Sequence, residues 1–216
     1  MNAVAAENQG EQSSRERILD AAEGLFARRG YAGVGLRELA DLVGIGKSSL
    51  FHHFESKPQL YAAVCTRILA RIAARVDESL ARGGAPMERL ERVVDDLLDL
   101  LAAQPSDARI LLRSLFEDDE LAGETREERE GRELTAHIMA SISALLREGM
   151  EVGQFRSVHV PGLLLSLIGQ TVFPFASGEF GQEILGKDPF DPAEVKRRKR
   201  ETRDLLRHGL LAPAGR

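Results

Sequence analysis

A short segment of the sequence carries hydrogen-bond donors and positive charge but no acidic residue. A helix over residues 47–54 would have one apolar face, and its other face would present Lys47, Ser48, Ser49, His52 and His53. Side chains of these types hydrogen-bond to base edges and phosphates, and a single helix fits the major groove of a DNA duplex. The segment is therefore a candidate nucleic-acid interface.

Two short helices joined by a glycine turn must position this segment. Apolar residues recur at three- and four-residue steps over residues 36–43 and again over residues 47–54, with Gly44-Ile45-Gly46 between them. Isolated helices of about eight residues are marginal in water, so the neighbouring helices must hold them in place. The pattern indicates a helix-turn-helix at about residues 36–54. A helical hairpin that only packs against its neighbours is the alternative interpretation.

The charge of the chain is unevenly distributed. Residues 13–75 hold ten Lys or Arg and six Asp or Glu, a net charge of +4. Residues 76–216 hold nineteen basic and twenty-six acidic residues, a net charge of −7, and residues 1–12 add −2 to give the −5 of the whole chain. A positive end on a negative body would orient that end toward the phosphates of a nucleic acid.

Composition excludes several classes of protein and of site. Hydrophobic residues make up 43% of the 216 residues and charged residues 29%, which is an ordinary balance for a globular chain. Cys65 is the one cysteine, so an intrachain disulfide and a cysteine-based zinc site are ruled out, and a reducing, cytoplasmic setting is expected. His52 and His53 would point about 100° apart on a helix, so we expect no metal site and no cofactor.

Helical periodicity extends over nearly the whole sequence. It predicts an all-α protein of about nine helices, with a disordered leader over residues 1–12 and a three-helix domain over residues 13–75. A fourth helix, capped by Ser56, would join that domain to a larger helical bundle over residues 76–216. We expect the acidic stretch at residues 117–133 and the basic run at residues 196–200 to be solvated faces.

The longest stretch without Asp, Glu, Lys or Arg is residues 157–178. Its apolar part, residues 163–176, is shorter than the roughly 20 residues that a membrane-spanning helix needs. We therefore expect a buried helix there and no membrane partner.

Residues from about 15 to 68 resemble the TetR/AcrR family of bacterial transcriptional regulators. The resemblance rests on Gly30-Tyr31, on Leu36-Arg37-Glu38-Leu39-Ala40 and on the run from Gly44 to Leu60. That run contains the family's aromatic-x-x-Phe-x-x-Lys-x-x-Leu pattern. The resemblance implies a DNA-binding, non-enzymatic regulator, a repressor that binds a palindromic double-stranded operator as a homodimer and is released by a small, apolar effector.

The resemblance also implies roles for individual residues of the helix-turn-helix. Two of them depart from the family pattern: Phe51 stands where the family usually has a tyrosine that bonds to a phosphate, and Gly35 stands where it usually has Thr or Ser. The residues implied to contact DNA are Gly35, Arg37, Lys47, Ser48, Ser49, Phe51, His52, His53 and Lys57.

The larger domain, residues 76–216, would bind the effector and form the dimer. Candidate residues for the effector pocket are Phe116, Met139, Phe173 and Phe175. Candidate residues for the interface with the second copy are Leu164, Leu165, Ile168, Val172, Leu205 and Leu206.

Two alternatives fit the same sequence. The first is a family member that activates transcription or acts without a ligand, which would bind an operator that no metabolite affects. The second is a helical interaction protein whose hairpin only packs, which would show no salt-dependent affinity for any duplex. A helical enzyme has less support, because the sequence contains no nucleophile motif, paired-carboxylate signature or phosphate-binding loop.

Overall fold

A computed structural model describes residues 2–116 and 125–212, with side chains from Ser14 onward. Within these residues the prediction of an all-α fold is confirmed, with ten helices instead of about nine. The helices are α1 (Asn2–Arg29), α2 (Leu36–Val43), α3 (Lys47–His53), α4 (Lys57–Ala81), α5 (Pro86–Ala103), α6 (Pro105–Ser114), α7 (Arg126–Glu151), α8 (Val160–Ala176), α9 (Glu179–Leu185) and α10 (Pro192–Leu210).

Helices α1 and α9 differ from the sequence prediction. Helix α1 begins at Asn2, where a disordered leader was predicted, because seven of residues 2–12 are Ala, Glu or Gln, which favour helix. Helix α9 was not predicted, since its seven residues between Gly178 and Gly186 are too few to show a period. Residues 117–124, the first part of the predicted acidic face, lie outside the described residues.

Buried aromatic and aliphatic side chains hold the first four helices together. Tyr61 on α4 packs edge-on against Phe26 of α1, with ring centroids 4.9 Å apart, and against Tyr31 at 5.3 Å. Leu50 of α3 and Phe54, which follows α3, are fully buried in the same core. The short helices α2 and α3 therefore owe their position to α1 and α4.

A glycine turn separates α2 from α3. Gly44 adopts the left-handed conformation at φ 75°, which an L side chain rarely adopts, and its N–H donates to the carbonyl of Asp41. The next N–H, that of Ile45, donates to the carbonyl of Ala40 at 3.0 Å. This turn ends α2 and directs the chain into α3.

Helix α4 connects the first three helices to the bundle. It begins under a cap from Ser56, whose hydroxyl accepts a hydrogen bond from the N–H of Gln59. It packs most extensively against α7, where Thr66 donates to the carbonyl of Glu127 at 2.8 Å and lies against Gly131. The predicted boundary near residue 75 falls within this helix, and it stays a prediction.

Ion pairs join α10 to α5 in an antiparallel ladder. Basic side chains four residues apart on α10 meet acidic side chains four residues apart on α5: Lys199 with Asp99, Arg203 with Asp95, and Arg207 with Glu91. Part of the basic run at residues 196–200 is thus bound within the chain.

Helix α8 packs against α5, α6 and α7 on one side only, so the buried helix expected here is partly exposed. Among the described helices, none is by itself long and apolar enough to cross a membrane. Helices α8 and α9 taken together reach that length and composition, but they are bent by 100° at the break between them.

Candidate nucleic-acid interface and apolar cavity

The predicted DNA-contacting residues form an accessible surface around α3. Leu50 is fully buried, which turns the opposite side of the helix outward. Helix α3 begins after Gly46 without a side-chain cap, so its N-terminal end is sterically open. All nine residues are at least partly exposed, with only His53 and Lys57 half-buried: Gly35, Arg37, Lys47, Ser48, Ser49, Phe51, His52, His53 and Lys57.

Aromatic rings hold the basic groups of this surface. The Nζ atom of Lys47 lies 5.5 Å from the ring centroid of Phe51, four residues further along α3. The Nζ atom of Lys57 lies 4.4 Å from the ring of Tyr31 and donates to the carbonyl of Ala32 at 3.4 Å. Such contacts attract the cation and restrict its position. Phe51 lacks a hydroxyl, yet its ring positions a charge beside the other exposed residues of α3.

A third such contact was not predicted from the sequence. The guanidinium carbon of Arg15, on α1, lies 5.1 Å from the ring centroid of Phe54. Arg15 also lies 4.0 Å from Glu127 at the start of α7. No pattern in the sequence signals this arrangement, because it joins residues 39 positions apart.

One of the two acidic residues on α2, Glu38, is neutralised within the chain. Glu38 accepts two hydrogen bonds from Nη1 of Arg29, at 2.7 and 2.8 Å. Its neighbour Arg37 is exposed and has no ion-pair partner among the described residues. Gly35, the residue before α2, has nothing within 4 Å of where a Cβ would stand. The start of α2 therefore offers open space and a free positive charge.

A network of buried ion pairs connects α1, α4 and α6. Arg67 donates to Glu23 at 2.6 Å and to Asp20 at 2.7 Å, and Arg71 donates to Glu23 at 3.1 Å and to Asp107 at 2.6 Å. The side chain of Asp107 is fully buried and that of Glu23 is 10% exposed. The network ties α4 to α1 and α6.

The two buried carboxylates of this network have opposite pKa shifts. Burial by itself would raise the pKa of Glu23, but the hydrogen bond from Arg67 and the charge of Arg71 outweigh it, so the pKa is lowered. Burial raises the pKa of Asp107, and the hydrogen bond from Arg71 offsets only part of that effect. Glu23 is therefore the carboxylate whose ionised form the network stabilises.

An apolar cavity of about 340 Å³ lies inside the bundle. Helices α4, α5, α6, α7 and α8 all contribute to its wall, and none of the described lining residues is charged. Its size is within the range of small-molecule sites. In order from α4 to α8, the residues that line the cavity include Cys65, Leu69, Ile72, Leu90, Val93, Leu97, Leu111, Leu112, Ile138, Met139, Ile142, Leu164, Ile168 and Val172.

Comparison with known proteins places this architecture in a family. Residues 18–64 match the model of bacterial regulatory proteins of the tetR family, and residues 86–206 match that of the tetracyclin repressor-like C-terminal domain. The second match alone covers more than half of the chain. This chain belongs to the TetR family.

Curated TetR-family relatives share about a third of their residues with this chain over the aligned region. The transcriptional repressor KstR of Mycolicibacterium smegmatis is 30% identical over 118 residues, 54% of this chain and 58% of KstR. The transcriptional activator FasR of the same organism is 32% identical over 105 residues, 49% of this chain and 46% of FasR. The chain spans about half the length of these curated relatives.

Solved structures show the TetR-family fold over nearly the whole chain. The ketosteroid regulator KstR2 of Mycobacterium tuberculosis superposes with a TM-score of 0.72 at 20% identity, covering 92% of this chain and 95% of KstR2. AibR, in complex with isovaleryl coenzyme A and operator DNA, gives a TM-score of 0.72 at 19% identity, covering 89% and 97%. FadR of Bacillus subtilis, in complex with stearoyl-CoA, gives 0.68 at 16% identity, covering 90% and 98%.

The cavity of this TetR-family chain contains only two of the four predicted pocket residues. Met139 and Phe173 line it. Phe116 is 83% exposed beyond the end of α6, and Phe175 is fully buried elsewhere, 5.3 Å from the ring of Phe190. The prediction of these two residues is therefore wrong for this cavity. Large aromatic side chains were a poor guide, because aliphatic residues contributed by all five helices form most of the wall.

The residues predicted for the dimer interface lie in three different environments: exposed, buried and lining the cavity. Leu165 is 72% exposed and Leu205 is 61% exposed, as an interface requires. Leu206 is buried within the protomer, which contradicts its prediction as an interface residue. Leu164, Ile168 and Val172 line the cavity instead.

Three other large apolar residues on α8 and α9 are also exposed. They are Phe173 on α8 and Phe180 and Ile184 on α9. The exposed residues of α9 were not predicted because that helix was not predicted. The exposed side of α8 could not be identified because α8 is apolar on every side, so its period does not show which side faces inward.

Proposed function

We propose that this chain is a DNA-binding transcriptional repressor that binds a palindromic operator as a homodimer and is released by a small apolar ligand. The observation that carries the proposal is the course of α4. Its first residue, Lys57, lies on the candidate DNA surface, and Cys65, Leu69 and Ile72 of the same helix line the cavity. A ligand that shifts α4 would shift both surfaces. We place the protein in the cytoplasm, where an operator is accessible, and propose no catalytic role.

The second copy is needed because one recognition helix reads only a few base pairs. Two copies related by a two-fold axis present two such helices to the half-sites of a palindrome. The exposed apolar residues of α8 and α9, together with Leu205 of α10, support a surface for that contact. Helix α8 contains no charged residue, which favours its outward face for burial against a partner.

Release requires that the ligand bind better to a form that does not fit the operator. The ion pairs of Arg67 and Arg71 connect α4 to α1 and α6, so a displaced α4 would carry the first helix with it. The distance between the two recognition helices of a dimer would then change. Only one distance matches half-sites that are one helical turn apart.

Selection of bound sequences from random duplexes tests the proposal. We expect a palindromic consensus for the full chain, and weaker binding when the selection is repeated with uncharged apolar ligands. A consensus without symmetry would contradict the dimer, and no enrichment at all would favour the helical interaction protein.

Two lysine substitutions test the docking surface itself. We expect Lys47→Ala to weaken operator binding, and Lys57→Ala to reduce the slope of log K against log salt by about one, since one phosphate contact is lost. Lys196→Ala is the matched control, because Lys196 is an exposed lysine on α10, outside this surface. Filter binding or fluorescence anisotropy over a salt series measures all three. Unchanged binding in both surface variants would remove the proposed interface.

An activating or ligand-independent regulator is the alternative within the family. It is supported by one relative, FasR, which is named a transcriptional activator. A reporter gene behind the selected operator distinguishes the two, because a repressor lowers expression and an activator raises it. Expression that no apolar ligand changes would favour the ligand-independent form.

A further inference from the structure

The polar groups in the cavity wall are few and are of one type. Among the described lining residues, the hydroxyls belong to Ser114, Thr135 and Thr171. The other heteroatoms in lining side chains are the sulfurs of Cys65 and Met139; a thiol is only a weak donor and a thioether only a weak acceptor. None of these described side chains carries a positive charge that could neutralise an anion.

Each of the three hydroxyls already uses its proton within its own helix. Ser114 donates to the carbonyl of Leu111 at 2.9 Å, Thr135 donates to that of Gly131 at 2.9 Å, and Thr171 donates to that of Leu167 at 2.8 Å. What these hydroxyls offer a ligand is the lone pairs on their oxygens. A carboxylate needs donors, so this wall gives it none of the hydrogen bonds that it loses on leaving water.

The exposed part of the described cavity wall is also without charge. The lining residues that are exposed are Leu115, which follows α6, Thr135 on α7, and Gly169 and Phe173 on α8. None of these four residues carries an ionisable group, and α8 as a whole contains none. A charged end held against these four residues would therefore find no counter-ion among them.

We propose that this cavity selects uncharged ligands and excludes free carboxylates. It would accept a hydrocarbon, or a hydrocarbon with a hydroxyl that donates to the Ser or Thr oxygens. An acid would enter only in its protonated form, because burying an unpaired charge is far costlier than burying an uncharged group. This proposal rests on the proposed function in one respect, that the cavity is the effector site.

A matched pair of ligands tests the selection on the full-length chain. Binding of 1-decanol and decanoic acid is measured between pH 6 and pH 8 by displacement of N-phenyl-1-naphthylamine, an uncharged fluorescent probe. We expect a constant dissociation constant for the alcohol. For the acid we expect it to rise roughly tenfold per pH unit, since a carboxyl of ordinary pKa loses its neutral form at that rate. A dissociation constant for the acid that stays flat over this range would overturn the proposal.

Two variants establish that the probe reports on this cavity. Met139→Trp places a larger side chain in the wall and should abolish binding of both ligands. Val152→Trp adds the same side chain at a position that is 65% exposed and outside the cavity, and it should leave binding unchanged. Equal binding in both variants would place the ligands elsewhere and overturn the proposal. The pH series is measured on the unmodified chain, so its result does not depend on whether either variant folds.

A separate measurement of operator binding distinguishes a failure of the proposed ligand selection from a failure of the proposed function. If the alcohol binds with the expected selectivity but does not release the operator, ligand selection stands and the proposed release mechanism fails. If decanoate releases the operator as well as decanol does at every pH, the mechanism stands and the selection of uncharged ligands fails.

Discussion

At the scale of single residues, Phe51 replaces the lost hydroxyl with a different interaction. Its ring lies 5.5 Å from Nζ of Lys47, so the ammonium group is held over the ring while Lys47 stays exposed. Phe51 is 36% exposed, so the contact is formed at the surface and not in the core. We infer that Phe51 acts on DNA binding through Lys47.

Two substitutions of Phe51 distinguish the effect of an aromatic ring from the effect of a hydroxyl at this position. We expect Phe51→Leu to weaken operator binding about two- to fivefold, which corresponds to about 0.5–1 kcal/mol for an exposed cation–aromatic contact. Phe51→Tyr should bind at least as tightly as the unmodified chain, since the ring remains. Fluorescence anisotropy measures both. In the background of Lys47→Ala, Phe51→Leu should cause no further loss; the same loss in both backgrounds would show that the ring does not act through Lys47.

Gly35 offers a second test at this scale. It precedes α2 with an extended backbone, φ −96°, and a Cβ at this position would contact nothing within 4 Å. We expect Gly35→Ser to stabilise the fold by a few tenths of a kcal/mol through a helix cap, and to tighten operator binding through an added hydroxyl. Gly35→Ala fits equally well but adds no oxygen, so it is the control. If both variants bind alike, the hydroxyl does not reach a phosphate.

At the scale of helices, α4 is held to α1 and α6 by arginines that share one buried carboxylate. Arg67 and Arg71 both donate to Glu23, which is 10% exposed, and Arg71 also binds the buried Asp107. Removal of Glu23 would leave two guanidinium groups without their shared partner. The junction of these three helices depends on that one side chain.

We expect Glu23→Gln to destabilise the chain by about 3 kcal/mol at pH 7, as for the loss of one partner from a buried ion pair. The lowered pKa of Glu23 means that its contribution is fully present above its ordinary pKa of 4.5 and is lost as the pH falls through the lower folded value. The difference from the unmodified chain should therefore shrink below pH 4.5. Urea unfolding at a series of pH values measures it.

Glu16 provides the matched control for that experiment. It also pairs with Arg67, at 3.3 Å, but it is 54% exposed. Glu16→Gln should cost less than about 1 kcal/mol, as exposed ion pairs do. Equal effects of the two substitutions would mean that burial of Glu23 contributes nothing to the network.

The sequence predicts the helices around the turn better than it predicts the bundle. It placed α2 at residues 36–43 and α4 after Ser56, because a glycine turn and a serine cap mark those boundaries directly. For α8 it gave the helix but not its orientation, since Leu164 and Leu165 are equally apolar and only tertiary packing turns one inward. The cavity wall could not be predicted for the same reason: it is assembled from five helices.

At the scale of the whole molecule, two apolar surfaces lie side by side on α8. Leu164, Ile168 and Val172 face the cavity, and the adjacent stripe begins with Leu165, which is 72% exposed. A second copy of the chain that covers that stripe would form a dimer with two α3 helices. Association and operator binding are then linked.

We expect Leu165→Arg to convert the dimer to a monomer, because it places a charge in an apolar contact. Operator affinity should then fall by more than about 100-fold, since two linked half-site contacts become one. Val152→Arg, at a position that is 65% exposed outside the stripe, should change neither property. Analytical ultracentrifugation and anisotropy measure the two effects. A variant at Leu165 that remains dimeric would place the interface on another face.

The double use of α8 limits how this protein can evolve. A substitution on that helix that reshapes the chamber also sits one residue from the stripe that a sister subunit would cover. Adaptation to a new effector is thus less constrained through Val93 and Leu97 of α5 or Ile138 and Ile142 of α7, whose side chains line the chamber away from that stripe. Divergence in chemical preference among close descendants should accumulate on those two helices, while α8 changes slowly.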